Sequence, residues 1–165
     1  VGFFYRIIED RKKNIWIGSA KGLLLITPEN RHPKGKVKIF KHQINQPNSI
    51  SDSDINDIYE DSKGNIWVGT RSGLNLYIPD NQSFKIYREK DGVANENIRG
   101  IIEDNEGFLW ITTNKGLSRF DIQRKSFENY GKEDGLQGDK FTKRAIYKTK
   151  SGEILIGGSN GFNLF

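Results

Sequence analysis

Hydrophobic and polar positions follow a pattern that recurs four times along the chain. Each recurrence has an apolar lead-in, a polar turn and a second apolar stretch interrupted by glycine, which is typical of short paired strands. The recurrences align at Ile7, Ile58, Ile101 and Ile146, with spacings of 51, 43 and 45 residues. Repeats of this length are typical of propeller blades and exceed the length of leucine-rich repeats. The pattern therefore predicts a β-propeller.

Each repeat is predicted to be one blade, a four-stranded antiparallel sheet. In the second repeat the strands are expected at 55–60, 66–69, 73–77 and 84–87. Two positions are shared by all four repeats and hold Trp16, Trp67, Trp110 and Leu155 at the first, and Gly22, Gly73, Gly116 and Gly161 at the second. The blades are expected at about 3–41, 54–88, 97–131 and 141–165, the last without its outer strand. The predicted fold class is all-β, with about four blades that form a fragment of a larger propeller.

The turn after each lead-in strand has its own chemistry. Asp61 is expected to accept hydrogen bonds from the turn amides, with Gly64 in the left-handed region. Lys13 stands at that glycine position in the first repeat, so Asn14 is predicted to take the left-handed conformation there. Thr149 replaces the aspartate in the fourth repeat and predicts a weaker version of the same turn.

Two repeated features invite a functional interpretation. The tryptophans could stack on sugars, but one per blade at the same strand position favours wedges between blades. The pairs Glu9-Asp10, Glu60-Asp61 and Glu103-Asp104 resemble paired catalytic carboxylates. A glycosidase needs one such pair and not one in every blade. Both features are therefore interpreted as structural.

Ligand recognition is expected where the repeats differ from one another, because a repeated frame supplies a scaffold for variable contacts. The strand order places the starts of the inner strands and the loops between second and third strands on one entrance face. Arg99 and Arg144 are the leading candidates, since guanidinium groups suit carboxylate or sulfate oxygens. An ordinary surface or inter-blade ion pair is the alternative for each. The full candidate set for ligand binding is Arg99, Arg144, Asn56, Tyr5, Arg71, Lys115 and Asn160.

Composition and charge argue against several classes of chemistry. With no cysteine and only two histidines, His32 and His42, the chain offers no disulfide, thiol or paired metal-ligand chemistry. No metal site and no cofactor are expected. Residues 1–50 carry a formal charge of +7 and the rest −2, but no aromatic-basic motif indicates nucleic-acid binding. No stretch reaches the roughly 18 apolar residues of a membrane span, and Val1 falls within a patterned segment, which suggests a piece of a longer protein.

The motif from Glu60 to Leu74, with its E-D-x-x-G-x-I-W-V-G-T pattern, resembles the two-component regulator propeller repeat. The connection from Phe40 to Ser51 is similar to that family's longer link between blades, and the segment from Asp134 to Phe162 is similar to its terminal blade. Lys13, Thr112 and Leu155 depart from the family pattern without disturbing the fold. The resemblance implies propellers of about seven blades.

The resemblance also implies a function. In such proteins a periplasmic sensor precedes a membrane helix, a histidine kinase and a response regulator in a membrane-anchored, dimeric parent protein. The sensor responds to an oligosaccharide, possibly acidic, and controls polysaccharide-utilisation genes. The chain itself is then expected to be non-catalytic. A propeller lyase or glycosidase is the alternative, for which Tyr5 and Asp57 are the only nearby material, and a purely structural segment is a second alternative.

An incomplete propeller would leave two apolar blade faces exposed, which is unfavourable for a soluble monomer. The chain is therefore expected either to close as a compact four-bladed ring or to require self-association or further blades.

Overall fold

The structure is a computed structural model that describes residues 3–32 and 35–165. Pro33 and Lys34, which fall within the predicted first blade, lie outside the described residues. The strands are β1 (Phe4–Glu9), β2 (Ile15–Ser19), β3 (Gly22–Ile26), β4 (Lys38–Phe40), β5 (Ile55–Glu60), β6 (Ile66–Thr70), β7 (Leu74–Ile78), β8 (Ser83–Tyr87), β9 (Ile98–Glu103), β10 (Leu109–Thr113), β11 (Leu117–Asp121), β12 (Ser126–Tyr130), β13 (Phe141–Lys148), β14 (Ile154–Gly158) and β15 (Gly161–Leu164). Short 3₁₀ turns occupy Pro28–Asn30, Glu89–Asp91 and Lys132–Asp134.

The strands form four antiparallel sheets in chain order. Three sheets have four strands, β1 to β4, β5 to β8 and β9 to β12, and the last has three, β13 to β15. The first strands of the sheets, β1, β5, β9 and β13, pack against one another in sequence and are the inner strands of the four blades. The predicted all-β propeller blades are therefore confirmed. Among the described residues, no helix is long and apolar enough to cross a membrane.

The aspartate turns hold the first two strands of the first three blades together. Asp61 is buried, and its two carboxylate oxygens accept hydrogen bonds from the Lys63 and Asn65 amides, the Asn65 side chain and the Trp67 indole, at 2.8–2.9 Å. Gly64 has a φ of 83°, as predicted. In the first blade the prediction for Asn14 is wrong: Lys13 itself adopts a φ of 66° and keeps the turn geometry of the glycine it replaces.

The tryptophans are wedges between blades, as the sequence predicted. Trp16 is buried in a cluster that includes Ile55, Ile58 and Phe84 of the second blade. Trp67 is likewise buried against the third blade. Because the indole nitrogens donate to the turn aspartates, each wedge is also fixed in orientation.

Glycines on the second strands receive isoleucines from the next blade. A Cβ atom at Gly18 would lie 2.7 Å from Cγ2 of Ile55, and one at Gly69 would lie 2.6 Å from Cγ2 of Ile98. Both distances are shorter than a side chain tolerates, so the bare backbone is what lets successive blades approach. This explains why glycine recurs in the I-W-x-G motif.

The glutamates of the second and third Glu-Asp pairs link neighbouring blades. Glu60 accepts a hydrogen bond from the Arg11 amide in the first blade's turn, at 3.1 Å. Glu103 accepts from the Ser62 amide and hydroxyl in the second blade's turn, at 2.6 and 2.7 Å. The paired carboxylates are thus engaged in turns and blade contacts, which confirms their structural interpretation.

The first and last blades each present an apolar face to solvent. Phe4 and Ile7 are 58% and 61% exposed, whereas the equivalent Ile55 and Ile58 of the second blade are fully buried. On the last blade the exposed apolar side chains are Tyr147, Phe162 and Leu164. These faces have the chemistry of internal blade contacts, but no described residue covers them.

Candidate functional site

A bulge interrupts the inner strand of every blade near its start. In the first three blades the pairing between inner and second strands skips one residue, between Phe4 and Arg6, Ile55 and Asp57, and Ile98 and Gly100. The residues left out of the ladders are Tyr5, Asn56 and Arg99. A bulge leaves its extra residue unpaired and re-aims its side chain. Three sequence-predicted candidates thus share one structural position near the start of the inner strands.

The fourth blade has a longer interruption at this place. Pairing stops at Phe141, opposite Gly158, and resumes at Ile146, opposite Ile156. Two more residues lie in this interval than in the corresponding bulges of the second and third blades. The interval includes Lys143 and Arg144, and Arg144 adopts a φ of 59° in the left-handed region. Such a conformation costs roughly 1–3 kcal/mol in a non-glycine residue, and strain of this kind clusters at functional sites.

The insertion brings the fourth blade into contact with the first. The Arg144 guanidinium donates a hydrogen bond to the backbone carbonyl of Tyr5. The cationic groups of Lys143 and Arg144 lie 5.5 and 5.7 Å from the centre of the Tyr5 ring, within the range of cation–π attraction. Tyr5 and Arg144 therefore meet, and one donor of Arg144 is engaged in joining blades.

The side chains of Arg99 and Asn56 both form hydrogen bonds with residues of the third blade. Arg99 donates through Nη2 to Oδ1 of Asn114 at 3.0 Å. The Asn56 side chain is fully buried and donates to the Ile98 carbonyl at 2.7 Å and to Oδ1 of Asn97 at 3.3 Å. Within the described part of the chain, Nε of Arg99 and Oδ1 of Asn56 are buried without a hydrogen-bond partner.

Arg71 and Lys143 are two further charged side chains near Arg99 and Arg144. Nε of Arg71 lies 2.9 Å from Oδ2 of Asp54, whose Oδ1 is buried and unpartnered among the residues described. Partial burial lowers the pKa of Lys143; the positive charges of Arg99, Arg71 and Arg144 lower it further, and the Asp54 carboxylate opposes this. We call Asp54, Asn56, Arg71, Arg99, Lys143 and Arg144 the entrance cluster.

Asp57 lies beside the Asn56 bulge and ties three blades together. Its carboxylate pairs with Nε of Arg6 at 3.2 Å and accepts hydrogen bonds from the amides of Ile58 and Ile101, both at 2.9 Å. Burial nevertheless raises the pKa of Asp57 to about 6, because desolvation outweighs the Arg6 charge and the two amides. Asp57 is thus a structural carboxylate near the site.

Of the other three predicted residues, Tyr5 contacts the entrance cluster through Arg144, whereas Lys115 and Asn160 do not join it. Lys115 and Asn160 are exposed on loops between second and third strands. The backbone N–H of Asn160 donates a hydrogen bond to Oε1 of Gln137. Conversely, Asp54 and Lys143 were missed from the sequence. The signal for Lys143 is the interval from Phe141 to Ile146, which is longer than the equivalent interval from Ile98 to Ile101.

The described residues give little support for catalysis. No group of three His, Cys, Asp or Glu residues within 3–32 and 35–165 could hold a metal ion. A cleft of about 300 Å³ lies away from the entrance, on the outer strands of the third blade. Its Arg119 already pairs with Glu106 at 3.2 Å and Glu128 at 3.4 Å, and its guanidinium lies 3.6 Å from the centre of the Phe108 ring. The guanidinium of Arg119 is therefore already paired within the protein.

Comparisons with known proteins agree with the fold and the repeats. The sequence model of the two-component regulator propeller matches residues 49–72 and 92–115. The extracellular domain of the putative hybrid two-component system BT3049 from B. thetaiotaomicron is 28% identical, with a TM-score of 0.84 over 99% of this chain and 21% of that one. Virginiamycin B lyase from Staphylococcus aureus shares the fold at 15% identity and a TM-score of 0.60, over 98% of this chain and 69% of that one.

Among curated proteins, histidine kinase P4 of Formosa agariphila is 51% identical over 39 residues, which are 24% of this chain and 3% of that protein. The chain therefore spans a small part of the proteins that it resembles. Fold and inner-strand bulges together define a β-propeller segment. The family model matches parts of the second and third blades, which agrees with the resemblance to the two-component regulator propeller stated from the sequence.

Proposed function

We propose that this chain is a non-catalytic, ligand-sensing propeller segment in the extracytoplasmic part of a membrane-anchored hybrid two-component regulator. The ligand is an oligosaccharide, and its binding controls polysaccharide-utilisation genes through a histidine kinase outside the chain. The similarity to the extracellular domain of a putative hybrid two-component system supports the sensor role and the periplasmic location. The observation that carries the proposal is that the repeat is interrupted at one place in every blade, where side chains differ.

The variation at the bulges is what a sensor needs. Tyr5, Asn56, Arg99 and Arg144 occupy the start of the inner strands, while the turn aspartates, wedges and glycines around them repeat. A rigid frame with one variable ring of polar side chains can be adapted to a ligand without altering blade packing. We expect the ligand to contact side chains of more than one blade.

Isothermal titration calorimetry of the complete sensor against a panel of acidic and neutral oligosaccharides tests the proposal. Binding of at least one member, without any product detected by chromatography of the mixture, supports a sensor. Absence of binding across the panel would contradict it. Conversion of a bound oligosaccharide to shorter or unsaturated products would favour the lyase or glycosidase alternative.

The exposed blade faces point to a further partner. We propose that the faces around Ile7 and Phe162 are covered by further blades of the parent protein or by a second copy of this chain. Both faces carry the same apolar side-chain types as the buried contacts between blades, which supports a blade as the occupant. Multi-angle light scattering of the 165-residue chain should show self-association. A strictly monomeric chain, with Phe4 and Ile7 accessible to solvent, would contradict self-association and leave further blades as the occupant.

A further inference from the structure

Aromatic rings pack together where neighbouring blades meet, at a contact that we call a seam. The first two seams each hold four rings that contact one another: Trp16, Phe40, Tyr77 and Phe84 in the first, and Trp67, Tyr87, Phe120 and Phe127 in the second. Their ring centres lie 4.2–6.3 Å apart, close to the separations that favour aromatic pairs. In the described part of the chain, the third seam holds three such rings: Trp110, Tyr130 and Phe165.

The ring that the third seam lacks is the one that a fourth strand supplies. Phe84 of β8 lies opposite Tyr77 in the ladder. Phe127 of β12 lies opposite Phe120 in the same way. Phe165 corresponds to Tyr77 and Phe120, because each lies four residues after the glycine that the repeats share. The fourth blade has three strands among the described residues, so no ring lies opposite Phe165.

An open cleft marks the place of this ring. The cleft has a volume of about 370 Å³, and its lining includes Trp110, Tyr130, Leu136 and Phe165. Phe165 is 44% exposed, whereas Phe120 at the equivalent position of the second seam is fully buried. We call these four lining residues the aromatic cleft. Because solvent reaches it, an added ring would bury apolar surface there.

The free edge of β15 lies beside the aromatic cleft and offers backbone hydrogen-bonding groups. On one side β15 pairs with β14, and its other edge has no strand among the residues that the structure describes. An exposed strand edge can pair with an extended segment of chain. An antiparallel strand in the register of β8 and β12 would place its ring opposite Phe165.

The chain's own fourth strands indicate the occupant, since β8 and β12 both have the sequence Ser-Phe-x-x-Tyr. We propose that the edge of β15 and the aromatic cleft bind an extended Phe-x-x-Tyr segment of the parent polypeptide that lies outside these 165 residues. Its phenylalanine fills the cleft between Tyr130 and Phe165, and its tyrosine lies opposite Phe162. Another repeat of the same polypeptide is the source, because two of the three four-stranded blades of this chain carry the pattern. The proposal is independent of the ligand-sensing role.

A tethered strand tests the aromatic cleft. The chain is extended after Phe165 with a copy of residues 121–130, DIQRKSFENY, because this sequence follows the equivalent Phe120. The copied turn should return the strand along β15, and a short tether gives an effective concentration of roughly millimolar. The matched control is the same extension with serine in place of its phenylalanine.

Two measurements compare the extended chains. Trp16 and Trp67 are 1% and 0% exposed, so acrylamide should quench mainly the fluorescence of the partly buried Trp110. The phenylalanine extension should protect Trp110 from acrylamide, and the serine control should not. In urea unfolding, the phenylalanine extension should have a folding equilibrium constant about tenfold or more above that of the control, because it buries one more aromatic side chain. Equal quenching and equal stability of the two extensions would overturn the proposal.

Hydrogen exchange identifies the natural occupant. The segment Gly161–Leu164 should exchange more slowly in the complete sensor than in the 165-residue chain. Equally fast exchange in both proteins would overturn the parent polypeptide as the source. Slow exchange in the 165-residue chain that appears only when light scattering shows self-association would assign the edge to a second copy, and would also overturn the proposal. Oligosaccharide binding by the complete sensor is measured separately, so failure here is distinct from failure of the sensor role.

Discussion

The buried aspartate of the second blade provides a sharp test of how the repeat stabilises the fold. Asp61 accepts four N–H donors at 2.8–2.9 Å, and one of them is the indole of Trp67, which is fully buried. Asp61→Ala leaves all four without their acceptor. The turn amides lie near the surface and can bind water, whereas the indole nitrogen cannot.

The expected cost follows from burial. A buried donor left unpaired costs roughly 1–3 kcal/mol, and the cost is at the upper end of this range when the lost acceptor was charged. The unpaired indole contributes the largest cost, and the three donors that water can reach contribute a smaller one. Asp61→Ala should therefore lower the free energy of unfolding by about 3–5 kcal/mol. Asp104→Ala is the matched control, since Asp104 and its partner Trp110 are only half-buried. Its cost should be about 1–3 kcal/mol.

Urea unfolding followed by tryptophan fluorescence measures both variants. The slope of the free energy against denaturant should stay unchanged, which shows that the same surface is exposed on unfolding. Equal costs for Asp61→Ala and Asp104→Ala would refute the reasoning, because burial of the indole donor would then not determine the effect.

Two other substitutions test the blade contact and the buried carboxylate. Gly69→Ala should cost about 1–3 kcal/mol in urea unfolding because its Cβ would lie 2.6 Å from Ile98. Gly157→Ala, at the equivalent position of the last blade, should cost less than about 1 kcal/mol, and equal losses would contradict this account. The raised pKa of Asp57 means that the unfolded chain ionises first, so this group should lower the free energy of unfolding by roughly 3 kcal/mol in total as pH rises from well below 3.8 to well above 6. Denaturation at several pH values should show that Asp57→Asn removes this decline, and a pH dependence unchanged by the substitution would contradict the assignment.

The fold could be predicted from the sequence because each blade repeats the same local solution. Three blades carry the Asp-turn-Trp motif, which satisfies its own hydrogen bonds, and the fourth keeps the same strand pattern with Thr149 and Leu155 in place of the Asp and Trp. The exception at Lys13 shows the limit of residue preference. The turn fixes the conformation there, and the lysine accepts a φ of 66° because its neighbours already determine the backbone path.

The candidate site was only partly predictable for a different physical reason. Tyr5, Asn56 and Arg99 were found because they fall at one place in an aligned repeat. Lys143 was missed because it lies in an insertion, where alignment gives no equivalent residue. Lys115 and Asn160 lie on exposed loops, and being on the entrance face does not bring a side chain to the inner strands. Direction depends on the bulge geometry, which the sequence does not show.

The location of a bound sugar tests the central claim most directly. A crystal structure of the complete sensor with an oligosaccharide identified by calorimetry should show the sugar at the inner-strand bulges, in contact with Tyr5, Arg99 and Arg144 from three blades. A sugar bound instead at the aspartate turns, on the outer strands or wholly outside this chain would contradict the account.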